Sequence, residues 1–174
     1  IVKQMNFFIY KPLGFDKEDM VNIYLPNDSV GYSKLDYLKA QLDDVNGIQD
    51  VSFNSNTPIE DNNDNWRMFY FNHAVKKVDF YSILKMADNN YLPVYKLPLI
   101  AGRNMEASDT MKEFLVDEML LKNLGINNPE DALNKEIKFS DKVKGPIVGV
   151  LKDFHTRSFR DGLAPLIITS FKKG

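Results

Sequence analysis

"GPIVGVLKDFHTRSF" occupies residues 145–159, and its reading decides the fold. Pro146, Ile147, Val148, Val150 and Leu151 form an apolar run broken only by Gly149. Such a run, bounded by turn residues, predicts a buried strand. It closes on Lys152, Asp153, Phe154 and His155. An Asp two residues before a His, just past a strand, is a position where enzymes place a carboxylate-oriented base. Ser158 follows closely, but no G-x-S-x-G elbow exists to present a nucleophile. The simpler reading makes this a corner, with Asp153 capping the turn at HTRSF through a side-chain oxygen and His155 packed or exposed nearby.

Neighbouring segments extend the pattern. PLIITSF (165–171), KEIKF (135–139) and LPLIAGRNM (97–105) read as strands, and NPEDAL (128–133) as a helical turn. EFLVDEMLLKNLG (113–125) begins as a strand and runs into a helix that Gly125 ends. WRMFYFNH (66–73) and KKVDFYSILKM (76–86) are aromatic on both faces and predict two covered strands with a tight connection. Upstream, the polar stretch NSNTPIEDNNDN (54–65) marks a subdomain boundary. Before it, MVNIYLP (20–26) and IQDVSFNS (48–55) predict strands flanking an amphipathic helix over 32–45. Leu35, Leu38, Leu42 and Val45 line that helix, Asp28 or Ser29 can cap it, and Asn46-Gly47 stops it. Residues 20–55 are thus expected to form a β-α-β unit. IVKQMNFFIY (1–10) has near-helical apolar spacing, ended by Pro12 and Gly14. The mixture is α+β.

Bulk properties narrow the function. The 174 residues suit one domain or two small subdomains, and a chain this long buries roughly 70% of its unfolded surface. The net charge is −2, and the lysine pairs 76/77, 142/144 and 172/173 are scattered, so no nucleic-acid partner is expected. There is no cysteine, which excludes thiol catalysis, zinc ribbons and disulfide scaffolds. No apolar run approaches the roughly 18 residues of a membrane span. A start at Ile1 predicts a piece of a longer protein.

The remaining candidate sites are weak. EDNNDN (60–65) has the alternating ligands of a calcium loop, but Trp66 stands at the glycine position and no distal Glu follows. Two histidines, His73 and His155, with no cysteine argue against a transition-metal site. Gly102 and Arg103 suit a turn and an ion pair better than an anion site. Asp117 and Glu118 suit a helix start, where they complement the dipole. Tyr91, Tyr95 and Phe80 could line a pocket, but core packing is the default for such rings. Spacing alone supports no catalytic residue, no metal and no cofactor.

Four ordered phrases carry a resemblance: "KMADNNYLPVYKLPLIAGRNM" (85–105), "FLVDEMLLKNLG" (114–125), "NPEDALNKEIKF" (128–139) and "PIVGVLKDFHTRSFRDGLAPLII" (146–168). They resemble the MacB-like periplasmic core domain of ABC transporter permeases, in the FtsX-like permease superfamily, above all its Bacteroidota variants. The matching positions are Asp88, Tyr91, Leu92, Leu99, Gly102, Arg103, Val116, Asp117, Glu118, Leu124, Gly125, Pro129, Ala132, Val148, Gly149, Val150, Lys152, Asp153, Phe154 and Pro165. "LGFDKEDMVNIYL" (13–25) is similar to the start of these proteins just after their first membrane helix. The family often has Gly where Asn134 stands, and Asn tolerates positive φ.

The resemblance implies a division of the chain. Residues 1–19 would be a stalk following a transmembrane helix. Residues 20–56 would be the first β-α-β half of a porter-like subdomain. Residues 57–174 would be an inserted mixed α/β subdomain of Sabre type with a return strand, the second porter half lying elsewhere. It also implies a non-catalytic domain on the periplasmic face of the inner membrane, coupling ATP-driven helix motion to export or envelope signalling. Implied partners are an ATP-binding subunit or domain, a periplasmic adaptor, cargo or cell-wall hydrolase, and a second permease in a homo- or heterodimer. An FtsX-type regulator of a cell-wall hydrolase is the nearest alternative. A free-standing ligand-binding or hydrolytic domain using Asp153, His155 and Ser158 is the more distant one.

Overall fold

Residues Val143–Leu151 form the longest strand, and the sheet is organised around it. The computed structural model describes residues 14, 19–25, 34–59, 65–156 and 162–170. Its strands are β1 (Trp66–Arg67), β2 (Tyr70–Phe71), β3 (Ser82–Ala87), β4 (Leu99–Gly102), β5 (Phe114–Asp117), β6 (Glu136–Ser140), β7 (Val143–Leu151) and β8 (Leu166–Ser170). The helices are α1 (Leu35–Asp43), α2 (Tyr91–Tyr95) and α3 (Glu118–Asn123), with a 3-10 turn at Pro129–Ala132. The sheet order is β1-β3-β8-β5-β7-β6-β2, with β4 also on β7. β3 with β8 and β5 with β7 are parallel, and the other pairs are antiparallel. The fold is mixed α+β, as the sequence predicts.

Both faces of the central strands are buried, which is why their sequences are continuously apolar rather than alternating. Ile147, Val150, Phe114, Val116 and Ile167 face one cluster, closed by Leu120 and Leu121 of α3 and Ala132 of the 3-10 turn. Val148, Leu151, Leu115, Leu166 and Ile168 face the other, closed by Tyr91, Leu92 and Tyr95 of α2 and by Phe154. Strict alternation would put Ile147 and Leu151 on one face. A register shift prevents it: Phe114 lies opposite Ile147, but Leu115 lies opposite Gly149. That extra residue is a β-bulge. Gly149 is required there, because a Cβ would stand 2.3 Å from the Arg103 carbonyl oxygen. Gly102 answers from β4, with φ +72° and a hypothetical Cβ 2.2 Å from the Val148 carbonyl. The turn role expected of Gly102 is therefore a close crossing of two strands.

Three sequence expectations need correction. First, residues 20–25 and 48–53 form no ladder, and Asn54 makes only an isolated bridge to Ala87. Val21, Ile23 and Tyr24 are 84%, 69% and 80% exposed. A strand needs a continuous partner for its backbone groups; among the described residues 20–25 meets none, and 48–53 meets only Asp88 and Asn90, at Val51 and Phe53. Helix α1 forms where its apolar period predicts it, but only Leu35 is buried, while Tyr37 and Val45 stay exposed. Second, 66–73 and 76–86 are not a simple hairpin. Trp66 and Arg67 pair with Ile83 and Ser82, whereas Tyr70 and Phe71 leave to pair with β6. The break lies at Phe69, fully buried against Phe80 and Phe139 at ring-centroid distances of 6.0 and 6.1 Å. Its packing overrides strand propensity. The chain then reverses through Asn72 and His73, both at positive φ, with Ala74 N–H donating to Phe71 O at 3.0 Å. Third, ADNNYLPVYK carries a helix, α2, that the sequence reading leaves without an element. The expected helix over 1–10, the caps Asp28 and Ser29, and residues 60–64 lie outside the described residues.

Candidate functional site

The corner after β7 is built by three carboxylates. Asp117 ends β5 and caps α3: its Oδ1 accepts from Leu120 N–H at 2.9 Å and from Leu166 N–H at 3.0 Å. One buried acceptor thus ties the helix start to the first residue of β8. Burial pushes the Asp117 carboxyl up to about 8; the two backbone donors oppose this, and the Asp153 charge adds to it. Asp153 Oδ1 accepts from Met119 N–H at 2.8 Å, and Asp153 N–H donates to Glu118 Oε2 at 3.0 Å. This reciprocal exchange has the logic of a capping box, made between elements distant in sequence. Partial burial, then the Glu118 charge, raise the Asp153 carboxyl, against the donation from Met119.

The sequence predicts that Asp153 caps the turn at HTRSF; its Oδ1 caps α3, and Ser158 with the rest of 157–161, where that turn lies, is outside the described residues. His155 is half-buried. His73 sits at the β2 turn, with Nδ1 3.3 Å from Glu136 Oε1 and a side chain 76% exposed. Among the described residues, no three of His, Asp and Glu converge as metal ligands. Arg103 makes the expected ion pair: its Nη1 donates to Glu113 Oε2 at 3.1 Å, and Glu106 N–H donates to the same oxygen at 2.9 Å. The bond raises the guanidinium pKa and lowers that of the Glu113 carboxyl. Tyr91 and Tyr95 are core residues, with ring centroids 4.8 Å apart, and Phe80 packs edge-on to Phe69. A shallow cleft of about 470 Å³ lies at the other end of β7, lined by Tyr70, His73, Val75, Glu136, Lys138 and Lys144 among others. Asp141 sits 2.6 Å from Lys138 Nζ there and offsets its charge.

A second polar cluster was not read from spacing. Asp88 follows β3, and its carboxylate accepts from Ser52 Oγ–H at 2.7 Å, Phe53 N–H at 3.1 Å and Asn90 N–H at 3.2 Å. Asn90 Nδ2 donates to Val51 O at 3.0 Å. The local signal was an Asp two residues before Asn90, an Asx-turn pattern opening a short helix. The partners at 51–53 were invisible, because they lie more than thirty residues upstream. In both clusters the carboxylates hold backbone in place.

This layered mixed sheet has the fold of a MacB-like periplasmic domain. The periplasmic region of MacB from Actinobacillus actinomycetemcomitans superposes with a TM-score of 0.52 at 19% identity, over 78% of this chain and 54% of that one. A domain assigned to a permease of Porphyromonas gingivalis gives 0.52 at 18% identity, over 75% of this chain and 54% of that one. The chain therefore spans about half the length of these relatives. At such identities the likeness shows the fold alone. No family model and no curated protein matches the sequence.

Proposed function

We propose that this chain is part of the extracytoplasmic domain of an ABC transporter permease, a non-catalytic domain that couples ATP-driven motion of membrane helices to export or envelope signalling. The observation that carries this reading is the shared fold, with ordered motifs at its structural corners. Asp153 and Phe154, the centre of the most enzyme-like stretch, supply a helix cap and a core ring. The exposed apolar side chains of Val21, Ile23 and Tyr24 also support it. Apolar side chains left in solvent suit residues 20–56 as one half of a porter-like unit whose other half covers them. Residues 57–174 then form the Sabre-like insertion with its return strand, and residues 1–19 a stalk from the membrane. The partners are an ATP-hydrolysing subunit or domain, a second permease, and an adaptor or cargo.

Purification of the full-length protein from cell membranes tests this. Extraction only by detergent, with ATP hydrolysis co-purifying, is the expected result. Recovery from the soluble fraction without nucleotide hydrolysis would overturn it. Co-purification of a cell-wall hydrolase in place of an adaptor or cargo would favour a regulator of the FtsX type.

A further inference from the structure

Among the described residues, helix α1 makes few contacts with the sheet, given its apolar stripe. Within it only Leu35 is buried, residues 44–50 are all exposed, and among the described residues α1 shares no broad contact with any strand. The chain rejoins the body at residues 51–57, and it does so through polar contacts. Ser55 N–H donates to Met86 O at 2.8 Å, and Met86 N–H to Ser55 Oγ at 3.1 Å. Asp88 N–H donates to Phe53 O at 2.9 Å, while the Asp88 carboxylate takes Ser52, Phe53 and Asn90 as donors. Tyr91 Oη–H reaches Asn56 O at 3.3 Å and Lys85 Nζ reaches Thr57 O at 2.8 Å.

We propose that Asp88 is a mechanical latch joining the α1 arm to the sheet, so that arm displacement reaches β3 and α2 through its carboxylate. This rests on the coupling role proposed above. Packed apolar contacts are non-directional, and a helix lying on a sheet through them would slide at modest cost. A carboxylate accepting three donors fixes position and direction, and bonds to an ionised acceptor are the stronger kind. Asp88 directly follows β3, whose side chains Ile83 and Ala87 enter the same cluster as α2, Leu151 and Phe154. A load on residues 51–53 therefore passes at once to the centre of the core.

Hydrogen exchange on the full-length protein, with and without ATP, tests the latch. Without nucleotide, Asp88→Ala is expected to raise exchange at residues 51–55 by about tenfold or more, leaving β5, β7 and β8 unchanged. Unchanged exchange at 51–55 would overturn the latch. Should Asp88→Ala fail to fold, Ser52→Ala combined with Asn90→Ala removes the hydroxyl donor to Asp88 and the neighbouring side-chain bond to Val51 O. That double variant is expected to give a smaller rise at the same residues, and no rise would again overturn the proposal. With ATP, the wild type is expected to change exchange at both α1 and β3–α2; the Asp88 variant should keep the first change and lose the second. A β3–α2 response that persists in the variant would contradict the latch. A wild type with no ATP response anywhere would count against the coupling function, and the nucleotide-free comparison would still decide the contact itself.

Discussion

Gly149 shows how a single residue sets the geometry of the centre. Its missing side chain admits the Arg103 carbonyl and allows the bulge that keeps Ile147 and Val150 on one face. Gly149→Ala is expected to cost roughly 3 kcal/mol, read as a lower urea midpoint at unchanged slope. The glycine was visible in the sequence as an interruption, but the strand it accommodates lies far upstream and was not. Asp117 makes a pH prediction. Its folded pKa of about 8 lies above its ordinary value, so the folded state keeps a proton that the unfolded chain has lost. Its contribution to stability is greatest at acid pH, declines as pH passes the unfolded value, and is lost by about pH 8. Asp117→Asn keeps an acceptor for Leu120 and Leu166 while removing the charge. The variant should flatten this decline and be more stable than wild type at pH 8 by roughly 2–5 kcal/mol, measured by urea unfolding across pH. Sequence reading placed Asp117 correctly at a helix start; its second bond, to Leu166, is tertiary and left no local trace.

Among the elements, those whose partners are near in sequence or wholly apolar were the legible ones. β5, β6, β7, β8 and α3 fall where runs of Phe, Leu, Ile and Val and the stop at Gly125 predict them. Helix α2 was missed because YLPVY is too short to show a period and carries Pro93, tolerated only because it lies in the first turn. Its end is strained: Lys96 caps it with φ +50°. Lys96→Gly should stabilise the protein by about 1 kcal/mol, visible as a higher thermal midpoint. Asn134 takes φ +64° at the turn before β6, where the family that the sequence resembles often has Gly, so Asn134→Gly should change stability by less than about 0.5 kcal/mol. The segments 20–25 and 48–53 were misread for the opposite reason. Their composition suits strands, but composition supplies no partner, and the ladder did not form.

At the scale of the whole molecule, two kinds of surface meet. The central strands bury both faces under α2, α3 and the 3-10 turn. The α1 arm and residues 20–25 leave Val21, Ile23, Tyr24 and Tyr37 in solvent. A body that is complete in itself beside an arm that is not agrees with a portion of a larger assembly. The candidate site was legible only as a corner: the order of Asp117, Glu118 and Asp153 could be read, but not their mutual bonds across the fold. The central claim is that this chain faces the outside of a bacterial inner membrane as part of a permease. The chain has no cysteine, and Val75 is 94% exposed at the tip of the β2 turn. The most direct measurement is therefore labelling of Val75→Cys in the full-length protein with a membrane-impermeant maleimide on intact spheroplasts, with the parent protein as control. Labelling of the variant alone, in the membrane fraction and without lysis, is the predicted result. Labelling only after lysis, or a labelled protein in the soluble fraction, would contradict the account.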